Sequence, residues 1–150
     1  MSRIVWMLQV FALLLLMKPG AAQGDSFVFV SLLQEQKIVT FQRTVDSGEL
    51  RRTEVTECSA EPAYLTASKD GRVLFVSYRS SGQLAAFSVD ASTGKLNLIN
   101  VVEGGEDPAF LVLDRTGRFL LTAYYVSNKV TVHRVDAAQR ASDGSAVADG

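Results

Sequence analysis

The sequence predicts an all-β chain built from a repeated antiparallel unit, and three observations carry that prediction. Short apolar, β-branched runs alternate with turns containing Asp-Gly, Ser-Gly or Thr-Gly, where glycine supplies the positive φ of a tight turn. The stretch Glu61 to Asp90 returns as Asp107 to Asp136 at a constant offset of 46 residues, without a gap, and ten of its thirty positions are identical. A partial copy precedes both: Phe29, Val30, Ser31, Phe41, Gly48 and Leu50 stand 46 residues before Phe75, Val76, Ser77, Phe87, Gly94 and Leu96. A strand-built repeat of this length is the mark of propeller blades. The expected fold is a partial β-propeller of about three four-stranded antiparallel blades, with the ring not closed in this chain.

The N-terminus stands outside the repeat. Met1 to Arg3 carries a positive charge, Ile4 to Met17 is apolar apart from Gln9, and Pro19 to Gln23 supplies a breaker and small residues. Residues 1–22 read as a secretory signal with cleavage after Ala22, which places the mature chain in the periplasm or outside the cell and leaves it no membrane contact. The rival reading is an uncleaved anchor. The apolar run of about 14 residues falls short of the roughly 20 that span a bilayer as a helix.

Blade 1 is expected over 23–57, with strands at Ser26–Leu32, Ile38–Arg43 and Leu50–Glu57. Its first strand is missing, because the equivalent residues fall in the signal segment. That phase suits a ring closed by a strand from the far end of the chain. Blade 2, over 58–103, is complete: Tyr64–Ser68, Val73–Tyr78, Leu84–Val89 and Leu96–Glu103, separated by turns around Gly71, Gly82 and Gly94. Blade 3 is expected over 104–136 as a partial blade of three strands. Residues 137–150 are small, polar and aperiodic, and read as a loop with at most the beginning of an outer strand at Ser145–Ala148.

About 2.8 copies of the repeat are present, whereas closure takes roughly four to eight blades. An open stack leaves apolar blade faces in water. The expected partners are therefore the remaining blades of a ring, in a longer protein, or further copies of this chain by self-association. Lys plus Arg total 15 against 16 Asp plus Glu, so no charge excess points to nucleic acid or to an anionic membrane. The single cysteine, Cys58, excludes a disulfide framework and a Cys-rich metal site, and neither a cofactor nor a metal is expected.

The residues Pro62, Leu65, Asp70-Gly71-Arg72, Leu74-Phe75-Val76, Ser81-Gly82, Phe87-Ser88-Val89-Asp90 and Thr93-Gly94-Lys95-Leu96 form a composite pattern. Pro108, Gly117-Arg118-Phe119-Leu120 and Ala123-Tyr124-Tyr125 repeat much of it. This pattern resembles the lactonase family of seven-bladed β-propellers, the 6-phosphogluconolactonase type. The resemblance implies hydrolysis of a sugar lactone to the open acid, in carbohydrate metabolism. The alternative is a secreted propeller that binds without catalysis.

Lactone hydrolysis needs an activated water and donors for the oxyanion. Glu61 and Asp107 occupy matching loops at the entry to a blade, facing the channel mouth, and are the candidate substrate-binding residues; both also read as ordinary loop acids. The resemblance implies a histidine shortly after the proline of such loops, where this chain has Tyr64 and Phe110, so no catalytic residue is transferred. His133 replaces Phe87 of the preceding copy and reads as a packing residue. Cys58 reads as a buried or capped thiol, and Arg72 and Arg118 as turn residues.

Overall fold

The computed structural model describes residues 26–136, 138, 141 and 144–149, the last five by their backbone alone. The expected signal segment, 1–22, lies outside the described residues. Among the described residues eleven strands form three antiparallel meanders, and within each the strands pair in sequence order. The first sheet holds β1 (Ser26–Leu32), β2 (Lys37–Arg43) and β3 (Leu50–Glu57). The second holds β4 (Pro62–Ala67), β5 (Val73–Tyr78), β6 (Gln83–Val89) and β7 (Leu96–Glu103). The third holds β8 (Pro108–Leu113), β9 (Phe119–Tyr124), β10 (Lys129–Arg134) and β11 (Ser145–Asp149).

The burial pattern explains why these segments stack as blades. All six residues of β5 are buried, so both faces of that strand are covered. Such a strand reads as a continuous apolar run rather than an alternation. Leu74, Val76 and Tyr78 pack with Phe27, Phe29 and Ile38 of blade 1. Val73 and Phe75, on the opposite face, pack with Leu111, Leu120 and Val135 of blade 3. The outer strands β3 and β7 lie largely in solvent and carry Arg, Thr, Asn and Glu.

The repeat extends to backbone detail. Gln36, Gly82 and Asn128, spaced 46 apart, all adopt positive φ in the turn after the second strand. A bulge falls between Thr40 and Phe41 in β2, and again 46 residues on between Ala86 and Phe87 in β6. The turn after the first strand is closed in two ways. Ser68 Oγ accepts Val73 N–H at 2.9 Å in blade 2, and Asp114 Oδ1 accepts the equivalent Phe119 N–H at 3.0 Å in blade 3. Serine and aspartate trade places because either supplies the acceptor this turn requires.

Two expected boundaries shift by more than one residue. The first strand of blade 2 begins at Pro62 rather than Tyr64. Proline lacks an N–H and suits the first position of a strand. The ladder then shifts register, and Tyr64 N–H donates to Ser77 Oγ at 3.0 Å. Blade 3, expected to stop at 136 as a three-stranded partial blade, has a fourth strand. β11 pairs with β10 from Lys129↔Asp149 to Val132↔Ser145, and a bridge joins Val135 to Ala141. Ladder pairing is a property of the backbone, so a small-residue segment without periodicity forms it once β10 offers an edge.

The turn after the third strand ties blade 2 to blade 1. Asp90 Oδ1 accepts the Ser92 hydroxyl at 2.6 Å and N–H groups from Ser92 and Thr93, each at 2.9 Å, and these bonds hold its carboxyl down at about 2. Thr40 Oγ1 donates to the Gly94 carbonyl at 3.2 Å. A Cβ on Gly94 would meet Phe27 Cδ1 at 2.5 Å, whereas one on the equivalent Gly48 would meet nothing within 4 Å. Both glycines have φ near +70°. Gly48→Ala therefore bears only the left-handed strain, about 1–2 kcal/mol, and Gly94→Ala adds overpacking of about 1–3 kcal/mol. Urea denaturation of the two variants should show that order, Gly94→Ala the less stable.

Candidate functional site

The repeat brings equivalent positions together at one end of the seam between blades. Leu33, Arg79 and Tyr125 each follow the second strand of their blade, 46 residues apart. Ala63 and Ala109 each follow the proline that opens a first strand. These five, with Tyr64, Asp107 and Pro108, line a cleft of about 300 Å³. The inner strands β4 and β8 form its base, and Tyr64 and Phe110 meet there with ring centroids 4.9 Å apart and planes tilted by 54°.

One ion pair fixes the cleft. Arg79 Nε lies 2.7 Å from Asp107 Oδ1, and Nη2 donates to Oδ2 at 3.2 Å. The pair spans blades 2 and 3 and is two-pronged, the geometry in which a guanidinium binds carboxylate best. The Asp107 side chain is 16% exposed and that of Arg79 50%. Asp107 has φ +54°, and its carbonyl accepts the Tyr125 N–H at 3.0 Å. In blade 2 the Glu61 carbonyl accepts the Arg79 N–H at 2.8 Å in the same way. The entry loop and the following turn are thus hydrogen-bonded within each blade, and the ion pair then joins one blade to the next.

Of the two sequence candidates, Asp107 lines the cleft and Glu61 does not. Glu61 enters the site through its backbone. Sequence reasoning missed Arg79, Tyr125 and Leu33. The available signal was the repeat offset: one position occupied by an aliphatic, a cation and an aromatic in successive copies cannot be a shared packing position.

A second cleft of about 410 Å³ opens at the other end of the same strands, lined by Thr66, Lys69, Asp114 and Arg115 among others. Its charged side chains are those of turns. Asp114 is held at about 2 by hydrogen bonds from Thr116 Oγ1 and from turn N–H groups. The aromatic cleft with its fixed ion pair is the better candidate, because ligand sites are mostly apolar with a few placed polar groups.

The remaining reactive side chains lie elsewhere. His133 is fully buried, with Nε2 2.8 Å from Thr131 Oγ1, which is 3.0 Å from the Tyr124 hydroxyl. The backbone at Gly144 presses on the ring, where a Cβ would lie 2.5 Å from Cε1. Cys58 is half-buried beside Tyr78, and desolvation pushes its thiol up to about 11. Such a thiol is protonated at neutral pH and is no nucleophile. Among the described residues no group of three or more His, Cys, Asp or Glu side chains is placed to hold a metal.

Residues 27–149 match the family described as lactonase, 7-bladed beta-propeller. The chain belongs to that family. Solved structures share its fold. The periplasmic gluconolactonase PpgL of Pseudomonas aeruginosa superposes with a TM-score of 0.77 at 23% identity, covering 91% of this chain and 39% of its own. A Lactobacillus plantarum protein gives 0.75 at 23% identity, covering 90% and 41%. An inferred 6-phosphogluconolactonase of Bacteroides fragilis gives 0.74 at 20%, covering 86% and 36%. No curated protein matches the chain. The chain spans about two fifths of the length of these structures.

Two outcomes follow from the site's electrostatics. Removing the guanidinium leaves Asp107 largely buried and unpaired, so Arg79→Met should cost about 1–3 kcal/mol in chemical denaturation. The Cys58 thiolate fraction at pH 8 should lie about one to two orders of magnitude below that of an ordinary thiol, and iodoacetamide should label the unfolded chain faster by that factor. The same upward shift favours the folded state fully below the usual thiol value of 9.0. That contribution is lost as pH rises toward about 11, so the urea midpoint should fall over that window.

Proposed function

We propose that this chain supplies the substrate-holding seam of a lactonase-like hydrolase that opens a sugar lactone. The observation that carries the proposal is the family match across residues 27–149. The chemistry adds water to the lactone carbonyl, breaks the ring C–O bond and protonates the released ring oxygen, giving the hydroxy acid. The cleft between blades 2 and 3 lies at the entry loops, with Asp107 in its wall and Glu61 in the equivalent loop of the preceding blade.

The base that activates water comes from another blade in this proposal. Both carboxylate oxygens of Asp107 face Arg79, Cys58 is protonated, and His133 is sealed in the blade interior. These same facts favour a second reading, a propeller that binds a sugar lactone or related ring without turning it over. The N-terminal sequence signal, with the periplasmic name of the Pseudomonas relative, supports export. An exported enzyme would act on an unphosphorylated lactone in carbohydrate metabolism outside the cytosol.

The open face of blade 3 supports association with further blades, in the same ring or from another copy. Val112, next to the buried Leu111 on β8, is 40% exposed there. In the assay, protein assembled to a complete ring opens glucono-δ-lactone faster than solvent does. The 150-residue chain alone gives no rate gain and runs as an associated species in light scattering. No gain by the assembled ring across a panel of aldonolactones would leave the binding reading. An active, monodisperse monomer would overturn the dependence on further blades.

A further inference from the structure

We infer that the cleft between blades 2 and 3 is a subsite for a single uncharged sugar ring and rejects a phosphorylated one. The inference deepens the lactonase reading and rests on it for the choice of ligand. Three features of the cleft carry it.

The first is charge. Among the described residues Arg79 and Asp107 are the only charged ones lining the cleft, and they neutralise each other at 2.7 and 3.2 Å. A phosphate entering here would have to take the guanidinium from a carboxylate that is 16% exposed, stranding that charge. An uncharged hydroxyl makes no such demand. The guanidinium keeps N–H donors that Asp107 does not use, and each carboxylate oxygen keeps a lone pair. The pair therefore offers adjacent donors and acceptors to neighbouring sugar hydroxyls while its net charge stays at zero.

The second is the aromatic wall. Tyr125 lines the cleft and is 75% exposed. Among the described residues no ion pair, ring contact or side-chain hydrogen bond accounts for an aromatic ring standing in water at this position. Its counterparts in the other two blades are Leu33 and Arg79, so the fold does not require an aromatic there. A π face is electron-rich and attracts the C–H edge of a sugar ring, as it does other groups with positive character. Tyr64, held against Phe110, lines the same cleft.

The third is size. A space of about 300 Å³ sits at the lower end for ligand pockets, which suits one ring and not an oligosaccharide. Ala63 and Ala109, both small, are among the lining residues and leave that space open.

The test uses D-glucono-δ-lactam, an amide analogue that resists ring opening, so binding is read apart from hydrolysis. Binding to the 150-residue chain is followed by NMR shifts of the tyrosine ring protons and by calorimetry. The lactam should bind. Tyr125→Ala should weaken it about tenfold, and Tyr125→Phe by less than about threefold, because the ring face and not the hydroxyl makes the contact. Inorganic phosphate in excess, at constant ionic strength, should not displace the lactam from the native chain. Asp107→Asn frees Arg79, and phosphate should then bind about tenfold tighter.

Lactam binding that is indifferent to Tyr125→Ala, or displaced by phosphate in the native chain, overturns the subsite even if lactones are hydrolysed. Absence of lactam binding overturns it as well. Lactam binding that behaves as described, with no lactone opened by an assembled ring, removes the hydrolase and leaves the sugar subsite standing.

Discussion

The structure depends on apolar burial between blades rather than within them. A single four-stranded sheet has no core of its own, and its two faces must both be covered. In blade 2 they are. Phe27, Phe29 and Ile38 press on one face and Leu111, Leu120 and Val135 on the other. Burying each such side chain contributes about 1.5–3 kcal/mol. The hydrogen-bonded ladders set strand spacing and direction, but the interblade layers decide that the sheets stack. Two polar links described above, the Thr40 bond to Gly94 and the Arg79–Asp107 pair, join neighbouring blades.

This arrangement explains how much of the fold was legible in the sequence. The 46-residue offset located the strands, because a period-two pattern and a turn glycine recur wherever a blade recurs. Val73–Tyr78 and Leu96–Glu103 were readable to the residue. What the pattern could not show was structure made by backbone alone. β11 has no apolar alternation, and the sequence offered at most the beginning of an outer strand at Ser145–Ala148; the strand runs over Ser145–Asp149 because β10 presents an unpaired edge. The bulge after Pro62 was equally silent: it recurs after Pro108, where Ala123 stands in place of Ser77, so the Ser77 hydroxyl that accepts Tyr64 N–H does not announce it.

The site was less legible than the fold for a related reason. Asp107 could be picked out from its loop, but its meaning depends on Arg79, 28 residues away, which pairs with it across a blade boundary. Cys58 and His133 were readable as interior groups, and the structure supplies the cause: a desolvated thiol against Tyr78, and an imidazole bonded to a threonine hydroxyl inside the blade. Tyr125 entered the sequence reading only as the end of the Ala123-Tyr124-Tyr125 repeat pattern, with no role of its own. It becomes informative only when set beside Leu33 and Arg79, where the fold asks for nothing in common and the chain has nonetheless put an aromatic ring.

The left-handed residue that recurs at Gln36, Gly82 and Asn128 separates two duties within one turn. Reversal of the chain is secured there, three positions downstream of the side chain that faces the cleft. The cleft-facing residue is consequently released from any conformational obligation and can be exchanged for chemistry alone. A family built on this turn can diversify what it recognises by rewriting one letter per blade while its architecture stays untouched.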